Sequence, residues 1–265
     1  MIIDGKAIAE RIYGEVAAMA SACSRTPRLA AVTCNPNFET RKYLELKKKK
    51  AAEVGVTLDV IELKDTISTE EAVASIEALL PSVDGVVVQL PFPPHIDREL
   101  LLNSIPADKD PDGFGYGEKE GACLPPVVAA LAEIAKTYGF VFKDRKVAVL
   151  GQGRLVGMPV ATFLKREGAH VTVVTEENIA PREILKSAEI IVSGIGKPHF
   201  ITVDDVPSGS IVFDAGTSED GGFMVGDVHP NVAFKAALIT PVPGGIGPIT
   251  IAVLLRNLVS LVRHE

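Results

Sequence analysis

The chain has 265 residues, enough for one large domain or two ordinary ones, each with a sizeable core. Hydrophobic residues make up 47% and charged residues 23%, the balance of a globular protein, which excludes collagen-like, low-complexity and wholly disordered classes. Lys and Arg number 27 against 34 Asp and Glu, a net charge of −7, and an acidic chain without a basic stripe argues against a nucleic-acid binder.

In chain order, residues 4–22 read as an amphipathic helix, with Asp4 as its cap and Ile8, Ile12, Val16 and Met19 as its apolar stripe. Leu29 to Thr33 is a short buried strand, and Asn35-Pro36-Asn37 is turn chemistry. A helix over 39–53 ends near Gly55. A strand from Val56 to Leu63 and a helix over 69–80, with Thr69 as its cap, come next. The run Gly85 to Leu90 is apolar enough for a strand buried on both faces. Pro91-Phe92-Pro93-Pro94 must then be a loop, because proline cannot continue a central strand. The alternation restarts with a strand over 146–150, a helix over 157–167, a strand over 170–174 and a helix over 181–187. Strands over 190–193 and 210–213, a Gly/Pro-rich loop at 241–248 and an apolar helix over 249–262 complete it. This is an α/β pattern in two domains. Residues 1–125 are expected to form a first α/β domain and 126–248 a second, Rossmann-like one; the motifs below imply a catalytic role for the first and dinucleotide binding for the second. The C-terminal helix, 249–265, returns to the first domain. The expectation includes a cleft between the two.

No apolar run approaches the about 18 residues of a membrane span. The start, Met1-Ile2-Ile3-Asp4-Gly5-Lys6, shows no basic stretch leading into an apolar one, so a cytoplasmic location is expected. The three cysteines, Cys23, Cys34 and Cys123, fit a reducing compartment and neither a disulfide framework nor a zinc site. The five histidines are scattered, and no metal is expected.

Four places carry chemistry. The turn Gly151-Gln152-Gly153-Arg154-Leu155-Val156-Gly157 joins a strand to a helix. Its glycines let the backbone approach a pyrophosphate, and the helix N-terminus offers free N–H groups to that anion. The spacing is GxGxxxG, one residue longer than the usual dinucleotide fingerprint. After the next strand, Glu176 is placed to bond the adenosine ribose; its carboxylate would repel an added phosphate, whereas Arg154 would attract one. The local charges therefore lean towards NAD. On the helix over 39–53, Tyr43 and Lys47 are spaced i, i+4 and share a face, with Lys50 near the same stripe. Lys47 to Lys50 also reads as an ordinary solvated surface. Burial disfavours an ammonium, so a lysine held in a cleft is a candidate acid, base or oxyanion partner. Tyr43 offers a flat surface to an aromatic ring system. Gln89 ends its strand where open parallel sheets place ligands. The loop 106–113 carries three acids in five residues, without the ligand spacing of an EF-hand.

Taken together, Tyr43-Leu44-Glu45-Leu46-Lys47, Val88-Gln89-Leu90-Pro91, Lys109-Asp110-Pro111-Asp112-Gly113 and Thr240 through Pro248 resemble, in order, the motif series of the bifunctional methylenetetrahydrofolate dehydrogenase/cyclohydrolase family. Ile3-Asp4-Gly5-Lys6 and Asp227-Val228 are similar as well, so the resemblance runs nearly end to end. It implies oxidation of 5,10-methylenetetrahydrofolate by NADP, the family default, or NAD, and hydrolysis of the methenyl product to 10-formyltetrahydrofolate. It also implies Lys47 as the central catalytic group, Gln89 holding it, Tyr43 stacking near the pterin and Asp112 binding the pterin's amino and amide edge. Val88, Leu90 and Gly245 would border the substrate. Gly151, Gln152 and Gly153 would meet the cofactor phosphates, and Thr217 the nicotinamide half. A homodimer through the cofactor domain is implied, with no nucleic-acid or membrane partner.

The chain departs from the family in its Gln152-Gly153 pair, its Thr175-Glu176-Glu177-Asn178 segment, a shortened stretch between Asp112 and Pro125, and Ala122-Cys123-Leu124-Pro125. These leave open a dehydrogenase lacking the hydrolase step, a methanopterin carrier, or a non-catalytic dinucleotide sensor. A shikimate-dehydrogenase-like enzyme fits the two-domain plan but not the block at 241–248.

Overall fold

The structure, a computed structural model, describes residues 1–175 and 181–262 and divides the chain into two units. One consists of Glu10–Pro125 and Ile251–Glu265, the other of Met1–Ala9 and Pro126–Thr250. Their main sheets have three and five strands, and the units are named for them below. Helices α1 (Gly5–Ser21) and α8 (Ile246–Val262) each carry the chain from the five-stranded into the three-stranded unit. Asp4 caps α1 as expected, its carboxylate accepting the Ala7 N–H at 3.0 Å.

The three-stranded sheet is wholly parallel, in the order β2 (Thr57–Leu63), β1 (Arg28–Cys34), β3 (Gly85–Val88). β1 has a neighbour on each side and is buried at every position but Arg28, which explains its unbroken apolar run. Helix α2 (Phe38–Glu53) links β1 to β2 and starts where the Asn37 side chain accepts the Thr40 N–H at 2.9 Å. Helix α3 (Thr69–Leu79) links β2 to β3. Its cap is Ser68 rather than Thr69: a capping box pairs Ser68 Oγ with the Glu71 N–H at 3.2 Å and the Glu71 carboxylate with the Ser68 N–H at 2.9 Å. Thr69 Oγ1 instead accepts the N–H of Asp97, which itself caps α4 (Arg98–Asn103). Ile76, Val86, Val88, Leu101 and Ile105 lie in one core. The sequence pattern carries the third strand to Leu90; the ladder stops at Val88, although the Gln89 N–H still bonds Val32 O at 2.8 Å.

The five-stranded unit opens with α5 (Pro126–Tyr138), β4 (Lys146–Leu150), α6 (Gly157–Arg166), β5 (His170–Val174), α7 (Pro181–Ser187) and β6 (Ile190–Ser193). β7 (Ile211–Asp214), the hairpin β8 (Ser218–Asp220) and β9 (Phe223–Val225), and β10 (Leu238–Ile239) follow. Five strands form a parallel sheet in the order β10-β7-β6-β4-β5. Helix α5, the hairpin and β10 are absent from the expectation. The hairpin turn is Gly221-Gly222, both with positive φ, the two-residue connection that suits strand twist. Helix α8 begins at Ile246, three residues ahead of the expected 249, because Pro248 falls in its first turn, where no N–H is needed.

Candidate active site

The lysine run resolves into two kinds of residue. Lys48 and Lys49 face solvent, whereas Lys47 is 8% exposed. Its Nζ donates to Gln89 Oε1 at 2.9 Å and stands 4.8 Å from the centroid of the Tyr43 ring. The i, i+4 spacing on α2 brings the ring to the ammonium. The end of β3, held to β1 through the Gln89 N–H, brings the amide. Gln89 is fixed in turn: its Nε2 donates to Leu90 O at 3.2 Å, which turns Oε1 towards the lysine. Lys50, one turn on, is an ion-pair residue, bonded to Glu10 at 3.1 Å and Glu53 at 3.0 Å, over the buried ring of Tyr13.

Asp112 is half-buried in the loop after β3. Burial pushes its carboxyl above the usual range, and the nearby Lys47 ammonium pulls it the other way. The loop is held by Asp110, 1% exposed, whose carboxylate accepts the N–H groups of Gly113 at 2.9 Å and Gly115 at 3.2 Å. Burial and the Asp112 charge push Asp110 up to about 6. Gly113 has φ +69°, and a Cβ there would stand 2.4 Å from Cys123 O, so glycine is required. Asn257 of α8 closes the arrangement by donating to Pro111 O and Leu124 O, each at 2.9 Å. Sequence reasoning missed Asn257; its signal was a single amide side chain in a mostly apolar helix. Val88 belongs to the core with its side chain, and Leu90 packs against that core.

In the five-stranded unit, Gly151 follows β4 with φ +89°. A Cβ on Gly157, at the start of α6, would stand 2.1 Å from Gly151 O, so helix and turn meet backbone to backbone. A Cβ on Gly153 would meet nothing within 4 Å, so packing does not demand glycine there, as expected where a ligand approaches the backbone. Gln152 and Gly153 are exposed, Arg154 is half-buried, and Thr217 is exposed just before β8. Glu176 lies outside the described residues. Gly245 is buried, its carbonyl so close that a Cβ at Gly5 could not fit. Tyr43, Lys47, Gln89 and Asp112 thus gather in the three-stranded unit, while Gly151 to Arg154, Thr217 and Gly245 belong to the five-stranded one.

A parallel sheet with a glycine turn running from an inner strand into a helix defines an α/β protein of the dinucleotide-binding class. Residues 3–112 match the family model for the tetrahydrofolate dehydrogenase/cyclohydrolase catalytic domain, and residues 125–265 match that for its NAD(P)-binding domain. The chain belongs to the tetrahydrofolate dehydrogenase/cyclohydrolase family, as the motif series implied. It is similar to the bifunctional protein FolD of Campylobacter curvus, at 37% identity over all of this chain and 96% of that one. Its likeness to the FolD of Mycoplasmopsis synoviae is 35% identity, covering 90% of each chain. Among solved structures it resembles the bifunctional FolD dehydrogenase/cyclohydrolase of Campylobacter jejuni, with TM-score 0.94, 33% identity and coverage of 100% and 99%. The Trypanosoma brucei enzyme, complexed with NADP cofactor and inhibitor, gives TM-score 0.91 and 32% identity, with coverage of 100% and 97%.

Proposed function

We propose that the chain oxidises 5,10-methylenetetrahydrofolate with NAD(P) and hydrolyses the resulting 5,10-methenyl cation to 10-formyltetrahydrofolate. The observation that carries this reading is the Lys47 Nζ, buried on α2, bonded to a neutral amide at 2.9 Å and facing an aromatic ring. Relatives of nearly full coverage that are named bifunctional support it. In this reading the three-stranded unit takes the folate and the five-stranded unit the dinucleotide.

Hydrolysis makes the larger demand on the lysine. A water oxygen bonds to the bridge carbon while Lys47, reacting as the neutral amine, takes one of its protons. The bond from that carbon to N5 then breaks, N5 takes the proton back from Lys47, and the carbinol proton leaves to solvent as the formyl C=O forms. Gln89 Oε1 suits this traffic because it accepts a hydrogen bond from the ammonium and from the amine alike. The Tyr43 ring offers the pterin a flat surface, and the Asp112 carboxyl meets its paired amino and amide donors. Gly151, Gln152 and Gly153 hold the dinucleotide phosphates at the start of α6, Arg154 and Glu176 meet the adenosine end, and Thr217 meets the nicotinamide half. When bound, the dinucleotide supplies the hydride acceptor. NADP is the family default, and the acid after β5 favours NAD. The reading extends to a cytoplasmic homodimer, which light scattering in solution tests.

The experiment follows methylenetetrahydrofolate with NAD and with NADP in separate cuvettes, recording reduced nicotinamide and methenyl product together. Both activities are expected, with methenyltetrahydrofolate opened faster than in buffer. Accumulation of the methenyl form at the buffer rate leaves a dehydrogenase alone. In Lys47→Gln, hydrolysis should fall by about 10²–10³-fold; full turnover in that variant overturns the assignment.

A further inference from the structure

Two segments of the five-stranded unit clasp each other. Asp214-Ala215-Gly216 leaves the end of β7, and Gly226-Asp227-Val228 returns from the β8–β9 hairpin. The Asp214 carboxylate accepts the N–H groups of Gly216 at 3.0 Å, Asp227 at 3.1 Å and Val228 at 2.9 Å. The Asp227 carboxylate accepts Ser193 Oγ–H at 2.7 Å and the N–H groups of Ile195 and Lys197, each at 2.8 Å. Each acid lies where the other segment has a glycine. A Cβ on Gly216 would stand 2.2 Å from Asp227 Cγ, and a Cβ on Gly226 would fall onto Asp214 Oδ2. Neither glycine has a positive φ, so close approach of a carboxylate, not backbone conformation, demands them. Both acids are buried, Asp227 at 0% and Asp214 at 3% exposure.

The clasp reaches two places the dinucleotide would touch. Thr217 directly follows Gly216, whose N–H is bound by Asp214 and whose α-carbon abuts Asp227. The loop from Ser193 to Lys197, folded around Asp227, presents Ile195 to the glycine turn: a Cβ on Gly151 would stand 3.1 Å from Ile195 Cγ2. A single buried carboxylate therefore ties the rim at the end of β6 to the rim at the end of β7, where parallel sheets bind ligands.

We infer that Asp227 is a positioning residue for the dinucleotide, holding the Ser193–Lys197 loop against the Gly151 turn while the paired Asp214 fixes the backbone that carries Thr217. The inference rests on the proposed dinucleotide site. In Asp227→Asn, the side chain keeps its size but in either orientation sets an NH₂ against a backbone N–H, that of Ile195 or of Lys197, which needs an acceptor. Reduced nicotinamide dinucleotides, NADH and NADPH, are titrated by fluorescence into wild type, Asp227→Asn and Ser193→Ala, with cyclohydrolase turnover and Tm measured alongside. Asp227→Asn should weaken dinucleotide binding about tenfold or more and raise the dinucleotide KM in step, with the methylenetetrahydrofolate KM within twofold. Cyclohydrolase turnover, which depends on side chains of the other unit, reports that unit's folding, and a cooperative melt reports that of the five-stranded one. Ser193→Ala, which removes one donor and keeps the carboxylate, should weaken binding about threefold. A folded Asp227→Asn protein that binds within twofold of wild type overturns the role. If that variant does not fold, unchanged binding by Ser193→Ala overturns it equally. Wild type that binds neither dinucleotide overturns the underlying reading of the unit, an outcome distinct from a failure of Asp227 alone.

Discussion

Two buried sites, one in each unit, hold polar groups in opposite ways. In the three-stranded unit the cation Lys47, 8% exposed, has an amide and an aromatic face as its partners. In the five-stranded unit Asp214 and Asp227 are each surrounded by three hydrogen-bond donors. A carboxyl group surrounded by N–H donors is a fixture, because moving it leaves several donors unmet. An amine on a neutral acceptor can gain or lose a proton without stranding its partner. The same economy of buried polarity thus serves chemistry at the lysine and shape at the paired acids.

Breaking the fixture should have the largest effect. In Gly226→Ala the new methyl falls onto Asp214 Oδ2, itself locked by three N–H groups. Overpacking costs about 1–3 kcal/mol, and each displaced buried bond adds about 1 kcal/mol or more. Urea unfolding should show a loss of at least about 3 kcal/mol. Gly153→Ala, whose Cβ would meet nothing within 4 Å, should cost under about 1 kcal/mol. Equal losses in the two variants would remove the distinction between a glycine that packing requires and one that a ligand requires.

Acidity sharpens the comparison next. Burial raises both Asp110 and Asp214 from 3.8 to about 6, one in each unit. Between those values the folded protein holds protons that the unfolded chain has released, so stability falls as pH rises from about 4 to 6 and levels off above. Each group corresponds to about 3 kcal/mol at full extent. Asp84 and Asp205, held low beside Arg25 and Arg182, act in the opposite sense, but only below the ordinary carboxylate range. Urea midpoints should therefore decline between pH 4.5 and 6.5. A rise across that window contradicts the burial of these two carboxyls.

Much of the layout was legible because its signals are local. Strands β4, β5 and β6 and helix α7 fall on the expected residues. A buried parallel strand is an apolar run, and a crossover helix shows its own period. The hairpin β8–β9 went unseen because its strands are three residues each and largely exposed, although Gly221-Gly222 marked the turn. Helix α4 was masked by the prolines before it, and its cap, Asp97, carried no apolar stripe to draw attention. At the site, the Tyr43–Lys47 spacing was readable, but the burial that separates Lys47 from Lys48 and Lys49 depends on β3, distant in sequence. The reciprocal acid–glycine contacts of 214–216 and 226–228 are likewise tertiary, and no local period announces them.

The neutral partner of Lys47 can be tested directly. Gln89→Leu keeps the volume and removes the acceptor, so Nζ loses its 2.9 Å bond and its position. Misplacing a catalytic group by about 1 Å costs about 10²-fold, and cyclohydrolase turnover should fall by that factor. Gln89→Glu sharpens the point. A carboxylate would hold the ammonium more tightly than the amide does and discourage release of its proton, so cyclohydrolase turnover should fall at least as far as in Gln89→Leu. A glutamate variant with wild-type turnover would show that the neutrality of the partner is incidental.

The smallest expected effect concerns Asn257, which holds the loop of Asp112 without touching the lysine. Its Nδ2 donates to Pro111 O and Leu124 O at 2.9 Å, on either side of the turn that Asp110 shapes. Asn257→Ala leaves two carbonyls without that donor, a loss of about 2 kcal/mol in unfolding free energy. Because Asp112 is carried by the tethered loop, the folate KM should rise by about threefold to tenfold, with turnover at saturation nearly unchanged; this is the signature of lost ground-state binding. Asn257→Asp removes both N–H donors and sets a carboxylate oxygen against the same two carbonyls, so it should cost at least as much as the alanine variant. If kcat falls in step with Gln89→Leu instead, the loop orients the reacting atoms, and the division between a chemical pair on α2 and β3 and a binding loop after β3 does not hold.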